Sequence, residues 1–146
     1  MARFVLRHRV MSKSIPSVQK YMTASPHSVG VDQTLAMAHE VMRARGIRHL
    51  PVLDGGKLVG VVSDRDLHMI ESLSGVDVHK VTVAEAMSTS VYAVEPETAL
   101  DAVASTMAAH KYGCAVVIQN QKVVGIFTTV DLCHTLVALL QTRLTH

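Results

Sequence analysis

Two short stretches of this chain share one arrangement of reactive groups. Ser63-Asp64-Arg65-Asp66 and Thr128-Thr129-Val130-Asp131 each place a hydroxyl three residues before a carboxylate. That spacing has a purely local use. A hydroxyl at a helix N-cap accepts from a backbone N–H three residues on, and the carboxylate reaches back to the N-cap N–H. It also has a chemical use. A helix N-terminus offers free N–H groups and a partial positive charge to an anion, and a carboxylate accepts well from hydroxyl donors. Both uses can hold at once, because capping orients the groups.

The elements that position these residues come from a repeat. Shifted by 65 residues, the sequence falls on itself without a gap: Met22 on Met87, Leu35 on Leu100, Met42 on Met107, Val52 on Val117 and Val59-Gly60 on Val124-Gly125. Each unit has the same grammar. A short turn ("VQKYM", "VAEAM") and an extended piece (Pro26–Val29, Val91–Val94) lead into a helix with one apolar face. Leu35, Ala38, Val41 and Met42 form that face in the first unit, and Leu100, Val103, Thr106 and Met107 in the second. Gly46 suits a helix stop, which the copy lacks. Two apolar runs then flank Asp54-Gly55-Gly56, or Asn120-Gln121, and read as hairpins. A second helix follows each, about Asp64–Leu73 and Thr129–Leu144. The fold class is α/β (α+β): two β-α-β-β-α repeats related by a pseudo-twofold axis, sheets packed together with helices outside. The expected partition is a basic arm at 1–16, repeats at 17–73 and 82–140, a linker at 74–81 and a tail at 141–146. One repeat alone is too short to bury a good core. Two together leave a pair of clefts at their junction, where ligands bind readily.

Composition bounds the partners. Apolar residues make up 49% of the 146 and aromatics only 3%, so the core must be aliphatic. The net charge of +2 does not point to nucleic acid. Arg3, Arg7, Arg9, Lys13 and Lys20 crowd the N-terminus and read as a solvated end. The apolar run at the start stops at Arg7, too short for a signal peptide or a membrane span. Cys114 and Cys133 make no disulfide framework. A cytoplasmic protein without a membrane segment is expected.

The repeat, the "IRHLPV" segment, the "VGVVSDRDL" ending and the Met-containing turn opening each unit together resemble a tandem pair of cystathionine-β-synthase (CBS) domains, a Bateman module. The resemblance covers residues 17–140. It implies a non-catalytic regulatory module that binds an adenosine-containing ligand: AMP, ADP, ATP or S-adenosylmethionine. It implies no obligatory cofactor, pairing into homodimers and a separate effector protein that reads the signal. By the same resemblance, Asp66 and Asp131 hold a ribose, and Ser63 and Thr128 lie near phosphate. Ile47 is a wall for adenine, and Arg48 and His49 are phosphate contacts. Each cleft combines one repeat's [ST]xxD with residues of the other. Thr128 and Asp131 would face Met22, His27, Ile47, Arg48 and His49. Ser63 and Asp66 would face Met87, Tyr92, Gly113 and Cys114, with Tyr112 as a possible adenine wall. The copy lacks the Arg-His pair, so the Thr128/Asp131 cleft is expected to be the better phosphate site, unless Lys111 and His110 compensate in the other.

The remaining signals are weaker. Nine histidines are present, but His39-Glu40 has Arg43 where a zinc protease needs its second histidine. They read as scattered surface residues, with no metal. Cys114 in an apolar strand reads as a small core residue. No acid/base pair, nucleophile set or metal set argues for an enzyme. The last helix carries more apolar surface than packing needs, from Leu132, Leu136, Val137, Leu139, Leu140 and Leu144, which suggests a dimer interface. The alternative is a dimeric interaction module whose ligand sites have degenerated.

Overall fold

The computed structural model describes residues 14–144. Most of the expected basic arm, and the last two residues of the tail, lie outside them. Seven strands and four helices follow in the order β1 (Thr23–Ala24), β2 (Val29–Gly30), α1 (Leu35–Arg45), β3 (His49–Asp54), β4 (Lys57–Ser63), α2 (Asp64–Glu71), β5 (Ala93–Val94), α3 (Leu100–His110), β6 (Cys114–Gln119), β7 (Lys122–Thr128) and α4 (Thr129–Leu144). Single 3-10 turns at Val18–Lys20 and Val83–Glu85 open the two repeats. No helix among the described residues is long and apolar enough to cross a membrane.

The strands form two mixed sheets, ordered β2-β3-β4 and β1-β7-β6-β5. In each, a hairpin pairs antiparallel and a short strand joins it in parallel. The first hairpin turns through Gly55 and Gly56, both at positive φ, as a two-residue turn with right-handed strand twist requires. The copy makes the same turn with Asn120 and Gln121 at φ 52° and 65°. α1 ends at Gly46 with φ 63°, and α3 ends at Lys111 with φ 58°. Lys111 thus takes the left-handed position that glycine fills in the first repeat.

The 65-residue offset reappears in backbone hydrogen bonds, and these cross between the repeats. Leu100 N–H donates to the Pro16 carbonyl at 2.9 Å, and Leu35 N–H to that of Val81 at 3.0 Å. Val18 N–H donates to Thr98, and Val83 N–H to Gln33, both at 2.8 Å. Each opening segment therefore satisfies the free N-terminal end of the other repeat's first helix. β1 pairs with β7, and Ser88 makes the matching bridge to Val61 of β4.

Packing follows the same exchange. One core gathers Leu35, Ala38, Met42, Leu50, Val52, Val62 and Leu67, closed by Val83 of the second repeat. The other gathers Leu100, Val103, Met107, Ala115, Val117 and Phe127, closed by Val18 of the first. Val18 and Val83 are fully buried, so each contributes about 1.5–3 kcal/mol of apolar burial across the repeat boundary. On α4, Thr135 is buried, while Val130, Leu136, Val137, Leu139 and Leu140 are exposed.

Candidate functional site

Both [ST]xxD segments form complete helix caps. Asp66 N–H donates to Ser63 Oγ at 3.1 Å, and Ser63 N–H to Asp66 Oδ2 at 2.9 Å. Asp131 N–H donates to Thr128 Oγ1 at 3.2 Å, and Thr128 N–H to Asp131 Oδ2 at 2.9 Å. The spacing read from the sequence is thus fully used by local structure at the starts of α2 and α4.

The second carboxylate oxygen separates the two sites. Thr23, on β1, donates its hydroxyl to Asp131 Oδ1 at 3.1 Å. The residue 65 positions on is Ser88, whose Oγ instead accepts from Ser90 N–H at 3.3 Å. Asp66 Oδ1 has no hydrogen-bond partner among the described residues. One aspartate is therefore closed by its own chain, and the other keeps an acceptor available.

Asp66 and Ser63 line a cavity of about 290 Å³, with His49 and Val61 from the first repeat. Ser88, Ser90, Val91, Tyr92, Lys111, Tyr112, Gly113 and Cys114 supply the opposite side. Tyr92 and Tyr112 stack at 5.3 Å between ring centroids, and His110 stacks on Tyr112 at 5.1 Å. Lys111 reaches the cavity from the end of α3.

His49 belongs to this cavity, whereas the sequence reading set it opposite Thr128 and Asp131. The register explains its place, since His49 pairs with Ser63 across β3 and β4. Its Nε2 lies 2.7 Å from where a Cβ on Gly113 would stand, so only glycine leaves the ring room. Burial pulls the His49 pKa below its ordinary 6.5, and Arg48 adds to this, against the opposing pull of Asp64 and Asp66. The imidazole is neutral at pH 7, which suits a hydrogen bond rather than charge pairing with phosphate. Burial also pushes the Cys114 thiol up to about 11.

The other named residues distribute differently. Ile47 and Arg48 line a separate hollow of about 370 Å³ with His39, Met42, Arg43, Gly46 and Asp64. Met22 packs on Gly125, and Met87 on Gly60. His27 is exposed. Thr23, Ser88 and Ser90 were not singled out from the sequence. The first two directly follow the paired methionines, which was their only signal. The histidines are also less scattered than expected: α1 and α2 bring His39, His68 and Glu71 together.

Comparison with known proteins places this geometry. A solved structure from Vibrio cholerae, named for acetoin utilization (AcuB), shares the fold with a TM-score of 0.82 at 34% identity, covering 91% of this chain and 98% of that one. The CBS domain-containing protein YhcV of Bacillus subtilis is 29% identical over 116 residues, 80% of this chain and 82% of its own length. The structure of CBSX2 in complex with AMP matches with a TM-score of 0.72 at 26% identity, covering 85% and 98% of the two chains. The CBS domain family model matches residues 9–70 and 83–138. Two copies in register, exchanging their opening segments around a shared junction, make this chain a member of the CBS domain family.

Proposed function

We propose that this chain is a regulatory module that takes an adenosine-containing ligand in the Ser63/Asp66 cleft and passes the bound state to a partner protein. The carrying observation is the unpartnered Oδ1 of Asp66 at a cavity walled by Tyr92 and Tyr112. A carboxylate with a spare oxygen can accept from ribose hydroxyls, and stacked rings suit the face of a purine. The cavity is near the lower end of the ~300–1,000 Å³ of small-molecule sites. The AMP complex of CBSX2 supports the ligand class.

Charge narrows the ligand. Lys111 is the one cationic side chain among the residues lining this cleft, and Asp66 opposes it. A monophosphate such as AMP, or S-adenosylmethionine, fits that balance better than ATP. Placing the ligand in the Ser63/Asp66 cleft reverses the order of the two clefts expected from the basic "IRH" loop. The exposed apolar residues of α4 fit a homodimer, through which ligand binding could shift one module against the other.

Isothermal titration tests the reading. AMP should bind more tightly than ATP, Asp66→Ala should abolish binding, and Asp131→Ala should leave it nearly intact. Loss of binding in Asp131→Ala alone would move the ligand to the other cleft. A second reading, an interaction module with degenerate sites, draws on the closed Asp131 carboxylate. It gains if no adenosine compound raises the melting temperature.

A further inference from the structure

We propose that His39, His68 and Glu71 form a binding site for a zinc-type divalent cation that bridges α1 and α2. One donor atom from each residue lies within 4.8 Å of the other two. Tetrahedral zinc with bonds of about 2.0–2.2 Å needs its ligand atoms about 3.3–3.5 Å apart. Small side-chain rotations close that gap. His39 Nε2 is already in hydrogen-bond contact with Glu71 Oε2.

The positioning is helical. His68 and Glu71 stand three apart on α2 and so share a face. His39 comes from α1, and its ring lies 5.4 Å from that of His68, tilted by 54°. Both helices are fixed near their N-termini, α1 by the Thr34 cap and α2 by the Ser63/Asp66 capping box. The nearby Arg43 is turned toward Glu40 at 3.7 Å, which offsets its charge.

An ion pair alone does not account for three donors. His39 satisfies Glu71, yet His68 stands beside them with no side-chain hydrogen bond among the described residues. Nor does the fold demand the trio. The positions 65 residues on are Ala104, Cys133 and Leu136, and the equivalent helices α3 and α4 both form without the trio. Two imidazoles and one carboxylate suit zinc, cobalt or nickel rather than magnesium or calcium, which prefer all-oxygen shells. Three protein ligands leave a fourth position for water.

The test uses the untagged full chain, stripped with chelator and titrated with zinc chloride. The expected result is one zinc per chain and a raised melting temperature, with cobalt giving the intense visible absorption of a tetrahedral site. His68→Ala and Glu71→Gln should each weaken zinc binding at least about tenfold, by comparison with the 10–100-fold that supporting residues alone can cost. His79→Ala, an exposed histidine outside the trio, should change nothing. His68 is itself exposed, so its variant should fold, which circular dichroism checks. Zinc affinity within twofold of wild type in His68→Ala, or absence of binding at micromolar zinc, overturns the proposal.

Discussion

Met87 Sδ lies 2.6 Å from the point where a Cβ on Gly60 would stand, and the Ser88 carbonyl lies 2.8 Å from it. Met22 sits over Gly125 in the same way. The methionine that opens each repeat thus rests on the glycine of the other repeat's "VG" pair. The two sites differ in what surrounds the glycine. The three atoms nearest to a Cβ on Gly125 all belong to the flexible Met22 side chain, whereas those nearest to one on Gly60 include the Ser88 backbone carbonyl. Gly60→Ala should therefore destabilise by about 1–3 kcal/mol as an overpacking change, and Gly125→Ala by less. Urea midpoints of the two variants measure the difference, and an equal or reversed cost would refute this account of the contact.

His49 gives the protein a pH-dependent stability. Its pKa is lowered in the folded state, mainly by burial, while the unfolded chain titrates near 6.5. Below that value the unfolded state binds more protons, so stability is present above about pH 6.5 and is lost as the pH falls. His49→Gln should reduce the loss between about pH 7.5 and 5.5, read as the change in urea midpoint against wild type. An unchanged pH slope in the variant would show that His49 is not the group responsible.

The legible part of this molecule is what each repeat does locally. Leu35, Ala38 and Met42 announce a helical face, Asp54-Gly55-Gly56 a hairpin, and Ser63 with Asp66 a cap. The 65-residue shift and the family resemblance add the junction. The resemblance sets Met22 and Met87 across the junction, but the exchange of core contacts was hidden, because Val18 and Val83 look like the start of their own repeats and only three dimensions show which core they close. The placement of His49 was hidden beside Arg48, because Arg48 lies in the bend before β3 whereas His49 opens the strand and pairs with Ser63. The availability of Asp66 Oδ1 depends on whether Thr23 or Ser88 turns toward the carboxylate, a choice that no spacing encodes. His39 and Glu71 are 32 residues apart and meet only because α1 packs on α2.

The left-handed residues of the second repeat invite correction by the first. Lys111 and Gln121 hold positive φ where Gly46 and Gly56 stand 65 residues earlier. A side chain there costs about 1–2 kcal/mol, against about 0.5–1 kcal/mol of extra chain entropy for glycine. Lys111→Gly and Gln121→Gly should each stabilise by a net 0.5–1 kcal/mol, roughly, on those scales. Only Lys111→Gly should also weaken nucleotide binding, because only Lys111 lines the cleft. Thermal melts with and without AMP separate the effects, and equal loss of AMP response in both variants would rule out the assigned role of Lys111.

Cysteine reactivity offers a direct view of the cleft. Cys133 is exposed on α4, whereas Cys114 lines the cavity beside Gly113. With its thiol pushed up to about 11, Cys114 is roughly one part in a thousand thiolate at about pH 8, and the thiolate is the reactive form. Iodoacetamide should label Cys133 first, with Cys114 following slowly and more slowly still when AMP fills the cavity. Peptide mapping by mass spectrometry resolves the two rates. The Asp66→Ala variant should lose the AMP protection while keeping the slow basal rate, since the thiol is suppressed by burial and not by ligand. Labelling of Cys114 as fast as Cys133 would contradict its half-buried position, and AMP protection surviving in Asp66→Ala would place the ligand elsewhere.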